Sequence, residues 1–362
     1  MSAPQSRERS IILNENGWSV RVLDQRGLPW RIEWVELTTV AVAARAISEM
    51  WVRGAPLIGA TAAYGLCLAL RADASDAALE RGMALLLGTR PTAVNLRWAL
   101  ERVRASAQPH QDDARVAAAY RCAALICDED VNSCRAIGDH GLELIRAVAA
   151  QGRTVNVLTH CNAGALATVD YGTALAPIYR AQELGIAVHV WVDETRPRNQ
   201  GALLTAYELN RARIPHTVIT DNAGGLLMQR GEVDLCLVGA DRVSRNGDVC
   251  NKIGTYLKAL AAHDNGVPFY VALPLSTYDG SLASGSEIPI EERDPAEVIL
   301  ISGELPGGEP GTLRLTRSAA ANPAFDITPA RLVTGYVTDR GILRHASEWA
   351  ALTMRALQRN TR

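Results

Sequence analysis

Phenylalanine is scarce, with two residues in 362 and an aromatic share of 5%, so the interior must be filled by alanine, leucine, valine and isoleucine. Charge of either sign is not in excess: the net value is −2, which offers no field to hold nucleic acid or an acidic membrane. Neither is expected as a partner. No apolar run approaches bilayer-spanning length. The opening residues, MSAPQSRERSIILNENG, lack the apolar stretch of a secretory leader. The seven cysteines include no C-x-x-C pair, and Cys122, Cys127 and Cys134 fall at spacings that match no zinc pattern. Reduced thiols in a cytoplasmic protein are the expectation. The dinucleotide motif G-x-G-x-x-G, the phosphate loop G-x-x-x-x-G-K-[ST] and the zinc motif H-E-x-x-H are all missing. No cofactor and no metal are therefore expected.

What remains is an ordinary globular composition, 48% hydrophobic and 21% charged, in a chain long enough for two domains. The stretch that organises the rest is RTVNVLTHCNAGALATVDYG, residues 153–172. Residues 155–159 are β-branched and apolar and read as a buried strand. HCNAG follows, and residues 165–176 read as a small-residue helix. A strand running through a tight turn into a helix N-terminus is where open α/β sheets bind ligands, anions above all. A thiol there, Cys161, is either a reactive acid, base or nucleophile or a small buried core residue. His160 points the opposite way on an extended chain and reads as structural.

Upstream of this stretch the pattern is mainly helical. Residues 18–28 alternate and suggest a small sheet with a turn near Gly27; residues 37–50 have helical spacing. VRGAPLIG, residues 52–59, opens another helix: Gly54 admits close backbone approach, Pro56 suits a first turn, and Arg53 is either an anion clamp or a solvated arginine. RPTAVNL, residues 90–96, begins a further helix with Pro91 near its start. Downstream, strands at 188–192, 216–220, 235–238 and 268–273 alternate with helices. That alternation argues for a parallel, doubly wound sheet. Glycine and polar residues gather at the strand ends, which share one edge. Residues 302–312 read as a surface loop, and a C-terminal helix is expected from Ala346.

On that edge stand the thiol Cys161 and the carboxylate Asp241, with Arg53, Arg90, Arg196 and Lys252 as cationic anchors. This set suits proton transfer on a small phosphorylated substrate. Asp241 reads either as a cap or ribose ligand, or as a partly desolvated acid–base group. Lys252 is either a phosphate or enolate ligand or a solvated lysine.

The motifs VRVLDQRGLP (20–29), VRGAPLIG, RPTAVNL, THCNAGALAT (159–168), DETRPRNQGALLTAYEL (193–209), GADRVSRNGDVCNKIGTY (239–256) and IPIEER (288–293) occur in the order found in a known family. Across nearly its whole length the chain resembles the methylthioribose-1-phosphate isomerases, which share a superfamily with translation-initiation factor 2B subunits. The resemblance implies an aldose–ketose isomerase of methionine salvage, with Cys161 and Asp241 as the catalytic pair. It implies substrate binding by Arg53, Gly54, Ala55, Arg90, Gln200, Asn251 and Lys252. It further implies a Rossmann-like doubly wound domain, residues 131–362, behind a smaller, mainly helical domain with a short β-sheet, residues 1–130. A homodimer acting on a small sugar phosphate is the implied assembly. Cys250 and Ala223 replace the family's usual alanine and methionine, and the loop at 303–317 is enlarged; none of these is a matched catalytic position. Two alternatives share the fold. A ribose-1,5-bisphosphate isomerase would need a second phosphate clamp in place of an apolar methylthio pocket. A regulatory subunit of the guanine nucleotide exchange factor is the non-catalytic alternative, and an intact Cys161, Asp241 and Asn251–Lys252 argue against it.

Overall fold

Three short antiparallel strands begin the chain, β1 (Ile11–Leu13), β2 (Val20–Leu23) and β3 (Trp34–Leu37), with β2 in the middle. In this computed structural model, residues 8–90, 93–349 and 351–352 are described; Pro91 and most of the helix expected after Ala346 lie outside them. Five helices follow: α1 (Val40–Ser48), α2 (Ala55–Ala72), α3 (Asp76–Leu87), α4 (Val94–Ala107) and α5 (Asp112–Ala149). α1 and α3 start on side-chain caps, with Thr39 accepting the Val42 N–H and Ser75 the Ala78 N–H. α2 is the core helix. It answers the shortage of phenylalanine with close approach of small residues: a Cβ at Gly59 would meet the Asn95 carbonyl oxygen at 2.8 Å, and one at Gly82 the Ala69 Cβ at 2.9 Å. α2 is long and apolar enough to cross a membrane, contrary to the expectation that no run approaches that length, but 83% of it is buried inside the fold, as a core helix is.

The chain then alternates: β4 (Val155–Thr159), α6 (Ala176–Glu183), β5 (Val188–Asp193), α7 (Ala206–Arg211), β6 (His216–Ile219), α8 (Ala223–Gln229) and β7 (Leu235–Val238). A β-hairpin, β8 (Arg242–Ser244) with β9 (Val249–Lys252), leads into α9 (Thr255–Asp264) and β10 (Phe269–Ala272). β11 (Tyr278–Asp279), β12 (Leu300–Glu304), β13 (Pro310–Arg314), β14 (Phe325–Thr328), β15 (Gly335–Thr338) and β16 (Gly341–Leu343) complete the described strands.

Seven strands form the main sheet in the order β16-β15-β10-β7-β4-β5-β6, and all but β16 run parallel. β7, β10 and β15 are buried at every residue, as strands covered on both faces should be. In chain order the six parallel strands lie 3-2-1-4-5-6, the doubly wound arrangement, with the reversal between β4 and β7. Ligands bind such sheets at the strand ends beside that reversal.

Two compact units divide the chain. One holds the segment up to Gly27 with Ile32–Arg135 and Gly164–Gly172; the other holds Leu28–Arg31, Ala136–Ala163 and the chain from Thr173 onward. This division explains the main departure from expectation. Residues 165–176 are not a helix: only a short 3₁₀ turn forms at Ala165–Ala167, and α6 starts at Ala176. Partners in the first unit occupy the backbone groups a helix would use. Ser10 Oγ donates to the Ala165 carbonyl at 2.9 Å, Gln25 Nε2 to Leu166 at 2.7 Å, and Asp130 Oδ2 accepts the Val169 N–H at 2.7 Å. The expected loop at 302–312 is instead the β12–β13 hairpin, closed by a Leu305 N–H to Glu309 bond of 2.9 Å.

Candidate active site

β4 is tied to its neighbour at its carboxyl end, where Thr159 Oγ1 donates to the Leu237 carbonyl at 2.8 Å. The chain then turns sharply, and Cys161 takes φ +66°. Both of its backbone groups are held by threonine hydroxyls: its N–H donates to Thr195 Oγ1 at 2.8 Å, and its carbonyl accepts from Thr205 Oγ1 at 2.7 Å. Its Sγ lies 3.5 Å from Gln200 Oε1. Of the seven thiols six are buried, and burial pushes those of Cys67, Cys134, Cys236 and Cys250 up; Cys161 alone is partly open to solvent. No helix begins at this turn, so the positive helix end expected beside the thiol is not there.

Under the turn lies a buried charged network. His160 Nε2 faces the Ile253 carbonyl at 2.8 Å, which can only accept, so that nitrogen carries a proton. Nδ1 faces Asp193 Oδ2, also at 2.8 Å, with one proton between them. Burial raises the Asp193 pKa, while His160 and the Lys258 ammonium oppose the rise. Lys258 Nζ sits 3.2 Å from Asp193 Oδ2 and donates to the Asp221 carbonyl. His160, Asp193 and Asp221 are spaced closely enough to hold a metal ion. Yet the Asp221 oxygens already accept the N–H groups of Thr195 (2.7 Å) and Arg196 (2.8 Å), and a lysine supplies the cation. Most of the donor set is thus spent on holding the ends of β4, β5 and β6, while the buried Asp193 Oδ1 has no hydrogen-bond partner among the described residues.

Residues 195–205 carry Gln200 to the thiol. Thr195 and Asn199 lie at φ +65° and +52°; asparagine adopts this region readily, whereas a β-branched residue there is an outlier. Gly201–Thr205 is a π turn leading into α7. It rests directly on β5: a Cβ at Gly201 would lie 1.7 Å from the Asp193 carbonyl oxygen. Arg196, read above as an anion anchor, donates instead to the carbonyls of Pro197 and Val298, each at 2.7 Å.

Asp241 follows the end of β7, on the other side of the reversal from Cys161. Its N–H donates to Cys250 at 2.9 Å, which seats it on the β8–β9 hairpin. Gly239 lets the two turns approach, since a Cβ there would meet Ala163 Cβ at 2.8 Å. Asn251 and Lys252 end β9, in register with Asp326 and Phe325 of β14. Asn251 Nδ2 donates to Thr255 Oγ1 at 3.0 Å; Lys252 Nζ donates to the Ala324 carbonyl at 3.0 Å and lies 4.6 Å from the Phe325 ring centre. Asp326 caps α9, accepting the Gly254 N–H at 2.7 Å and the Tyr256 N–H at 3.2 Å, and burial pushes its carboxyl up to about 6.

The second unit thus holds Cys161, Gln200, Asp241, Asn251 and Lys252, with Cys161 and Gln200 in contact. The first unit holds the other four expected site residues. Arg53 is buried just before α2; Gly54, at φ +86°, is that helix's N-cap, and Ala55 is its first residue. A Cβ on Gly54 would lie 2.3 Å from the Ala167 carbonyl oxygen, so only glycine fits. Arg90 is buried between α3 and α4. Thr195, Asp193, Lys258 and Asp326 were not singled out from sequence. The D-E-T-R-P run at the end of β5 was the one available signal.

Comparison with known proteins identifies the family. The Initiation factor 2 subunit family matches residues 51–345. The methylthioribose-1-phosphate isomerase of Acidiphilium cryptum is 64% identical over 92% of each chain, and that of Methylobacterium nodulans 61% identical over 94% of each. Among solved structures, 5-methylthioribose 1-phosphate isomerase from Pyrococcus horikoshii superposes with a TM-score of 0.82 at 38% identity, covering 97% of both chains. A structure described as translation initiation factor eIF-2B subunit delta from A. fulgidus gives 0.76, also at 38%, covering 93% of this chain and 96% of that one. The chain belongs to the methylthioribose-1-phosphate isomerase family, within the broader initiation factor 2 subunit family.

Proposed function

We propose that this protein converts 5-methylthio-α-D-ribose 1-phosphate to 5-methylthio-D-ribulose 1-phosphate in methionine salvage, with Cys161 and Asp241 as its catalytic pair. The observation that carries the reading is the placement of a partly open thiol and a carboxylate at the ends of β4 and β7, on either side of the sheet's reversal. The chemistry calls for such a pair. The anomeric oxygen carries phosphate, so the sugar ring cannot open by loss of a hydroxyl proton. A general acid must protonate the departing ring oxygen, and one hydrogen must move from C2 to C1. Asp241, in protonated form, serves ring opening and proton traffic at the C2 oxygen; Cys161 relays the proton between carbons. Direct hydride transfer is the competing route, in which the thiol shapes and polarises the pocket. Fixed dipoles at the strand ends assist both.

Arg53, Gly54, Ala55 and Arg90 have the character of an anion clamp, buried guanidinium groups beside a helix N-terminus. Gln200, Asn251 and Lys252 supply the remaining polar ligands. The working state is a cytoplasmic homodimer, as the family resemblance implies. The test is proton NMR of purified protein with the methylthioribose phosphate in deuterated water. Ketose formation is expected, and deuterium at C1 marks the proton route. Activity on ribose 1,5-bisphosphate alone moves the protein to the sister enzyme; no turnover of either sugar refutes the catalytic reading.

A further inference from the structure

Thr195 is an unexpected occupant of its position. A β-branched residue at φ +65° is a genuine outlier, where glycine or asparagine would relieve the backbone. Such strain persists only where the surroundings over-determine it. Here they do. The Thr195 N–H is held by Asp221 Oδ1 at 2.7 Å, its hydroxyl donates to the Asp193 carbonyl at 2.9 Å, and the same oxygen accepts the Cys161 N–H at 2.8 Å. The hydroxyl's direction leaves no alternative, since the carbonyl only accepts and the amide only donates. Glycine has no hydroxyl, and an asparagine amide has no single atom that both donates and accepts.

The hold reaches further back. Lys258 bonds to both Asp193 and Asp221, the two residues that seat Thr195. Thr205, at the far end of the same segment, bonds the Cys161 carbonyl. Between the two threonines lies Gln200, whose Oε1 is the partner of Sγ. Cys161 is itself at φ +66°, a conformation its own side chain does not favour.

We propose that Thr195 is a positioning residue for the isomerisation, its buried hydroxyl holding the Cys161 amide so that the thiol stays in its strained turn against Gln200. The proposal rests on Cys161 being the reacting thiol. Removing the hydroxyl lets the turn relax and carries Sγ away from its working place. A displacement near 1 Å costs turnover far more than it costs binding.

Thr195→Val keeps shape and branching but removes the hydroxyl; Thr195→Ser keeps the hydroxyl without the branch. Two readouts are taken on each, kcat and KM by NMR and the rate of Cys161 alkylation by iodoacetamide, located by peptide mass. Alkylation reads one thiol because the other six are buried. In Thr195→Val, kcat should fall at least about tenfold with KM within about twofold, and the alkylation rate should change by at least about threefold. Thr195→Ser should restore both. Wild-type turnover and alkylation in Thr195→Val would overturn the proposal, as would a serine variant no better than the valine one. So would loss of kcat with unchanged alkylation, which would mark a purely structural role. If the valine variant does not fold, Thr195→Ala is compared with Thr195→Ser by the same criteria. Alkylation reports the hold on the thiol even if Cys161→Ser retains full activity, an outcome that would sink the catalytic assignment separately.

Discussion

Gly201→Ala puts a methyl carbon 1.7 Å from the Asp193 carbonyl oxygen and 3.0 Å from Thr195 Oγ1. Real Cβ atoms essentially never approach within 3.0 Å, so about 1.3 Å must be recovered by movement, and the closer partner is backbone that cannot rotate away. β5 is paired on both edges, to β4 and β6, and has little room to retreat. The π turn must therefore shift, taking Gln200 from its 3.5 Å approach to Cys161 Sγ. Overpacking of this kind costs about 1–3 kcal/mol of stability. Misplacement by about 1 Å costs about 100-fold in rate, or about 2.7 kcal/mol of barrier. The assay is ketose formation followed by NMR, alongside thermal unfolding. Gly225→Ala is the control. Its Cβ would meet only Ala261 Cβ at 3.7 Å, and in α8 alanine is the better helix former. The reasoning fails if Gly201→Ala keeps kcat within about twofold of wild type, or if Gly225→Ala loses as much.

Cys161→Ser and Asp241→Asn should each lower turnover by about 100-fold or more with unchanged circular dichroism; near-wild-type activity in either removes that residue from the chemistry. Asp130→Asn probes the first unit. Burial pushes the Asp130 carboxyl up to about 7, against the Val169 N–H it accepts. A carboxyl raised on folding contributes stability that is complete below its unfolded pKa near 4 and is lost as pH rises through 7. The full loss is up to about 4 kcal/mol. Asparagine stays neutral and still accepts the Val169 N–H, so its stability advantage should grow between pH 4 and pH 8 in denaturant titrations. An advantage that is constant or reversed would contradict this.

The inner strands β7 and β10 of the main sheet were legible because strands buried on both faces leave uninterrupted apolar runs, LCLV and FYVA; the short edge strand β16 leaves no such run. The edge that carries the candidate site was legible for the complementary reason, since polar residues cannot sit in those runs and collect at their ends. Partnerships set by tertiary structure were not. Nothing local distinguishes Lys258 from a solvated helix lysine; only the return of β4, β5 and β6 around it buries the ammonium. Residues 165–176 have the small side chains of a helix, yet their carbonyls and amides are taken by Ser10, Gln25 and Asp130. Cys161 and Gln200 are 39 residues apart, and no spacing announces that they meet. The hairpin at β12–β13 was hidden by its Gly and Pro content, which reads as loop whenever the pairing partner is equally irregular.

The nine residues Gly164–Gly172, which belong to the first unit although both flanking segments belong to the second, give synthesis of this protein an order. When a ribosome has released Arg135, the first unit is still unfinished: the Ser10 hydroxyl, the Gln25 amide and the Asp130 carboxylate await partners that emerge only with residues 165–169. Those partners arrive after β4 and the Cys161 turn have been made. No single cut yields the two units as separate fragments. Completion of the first is therefore coupled, during translation, to delivery of the cysteine that the second unit presents at its sheet edge.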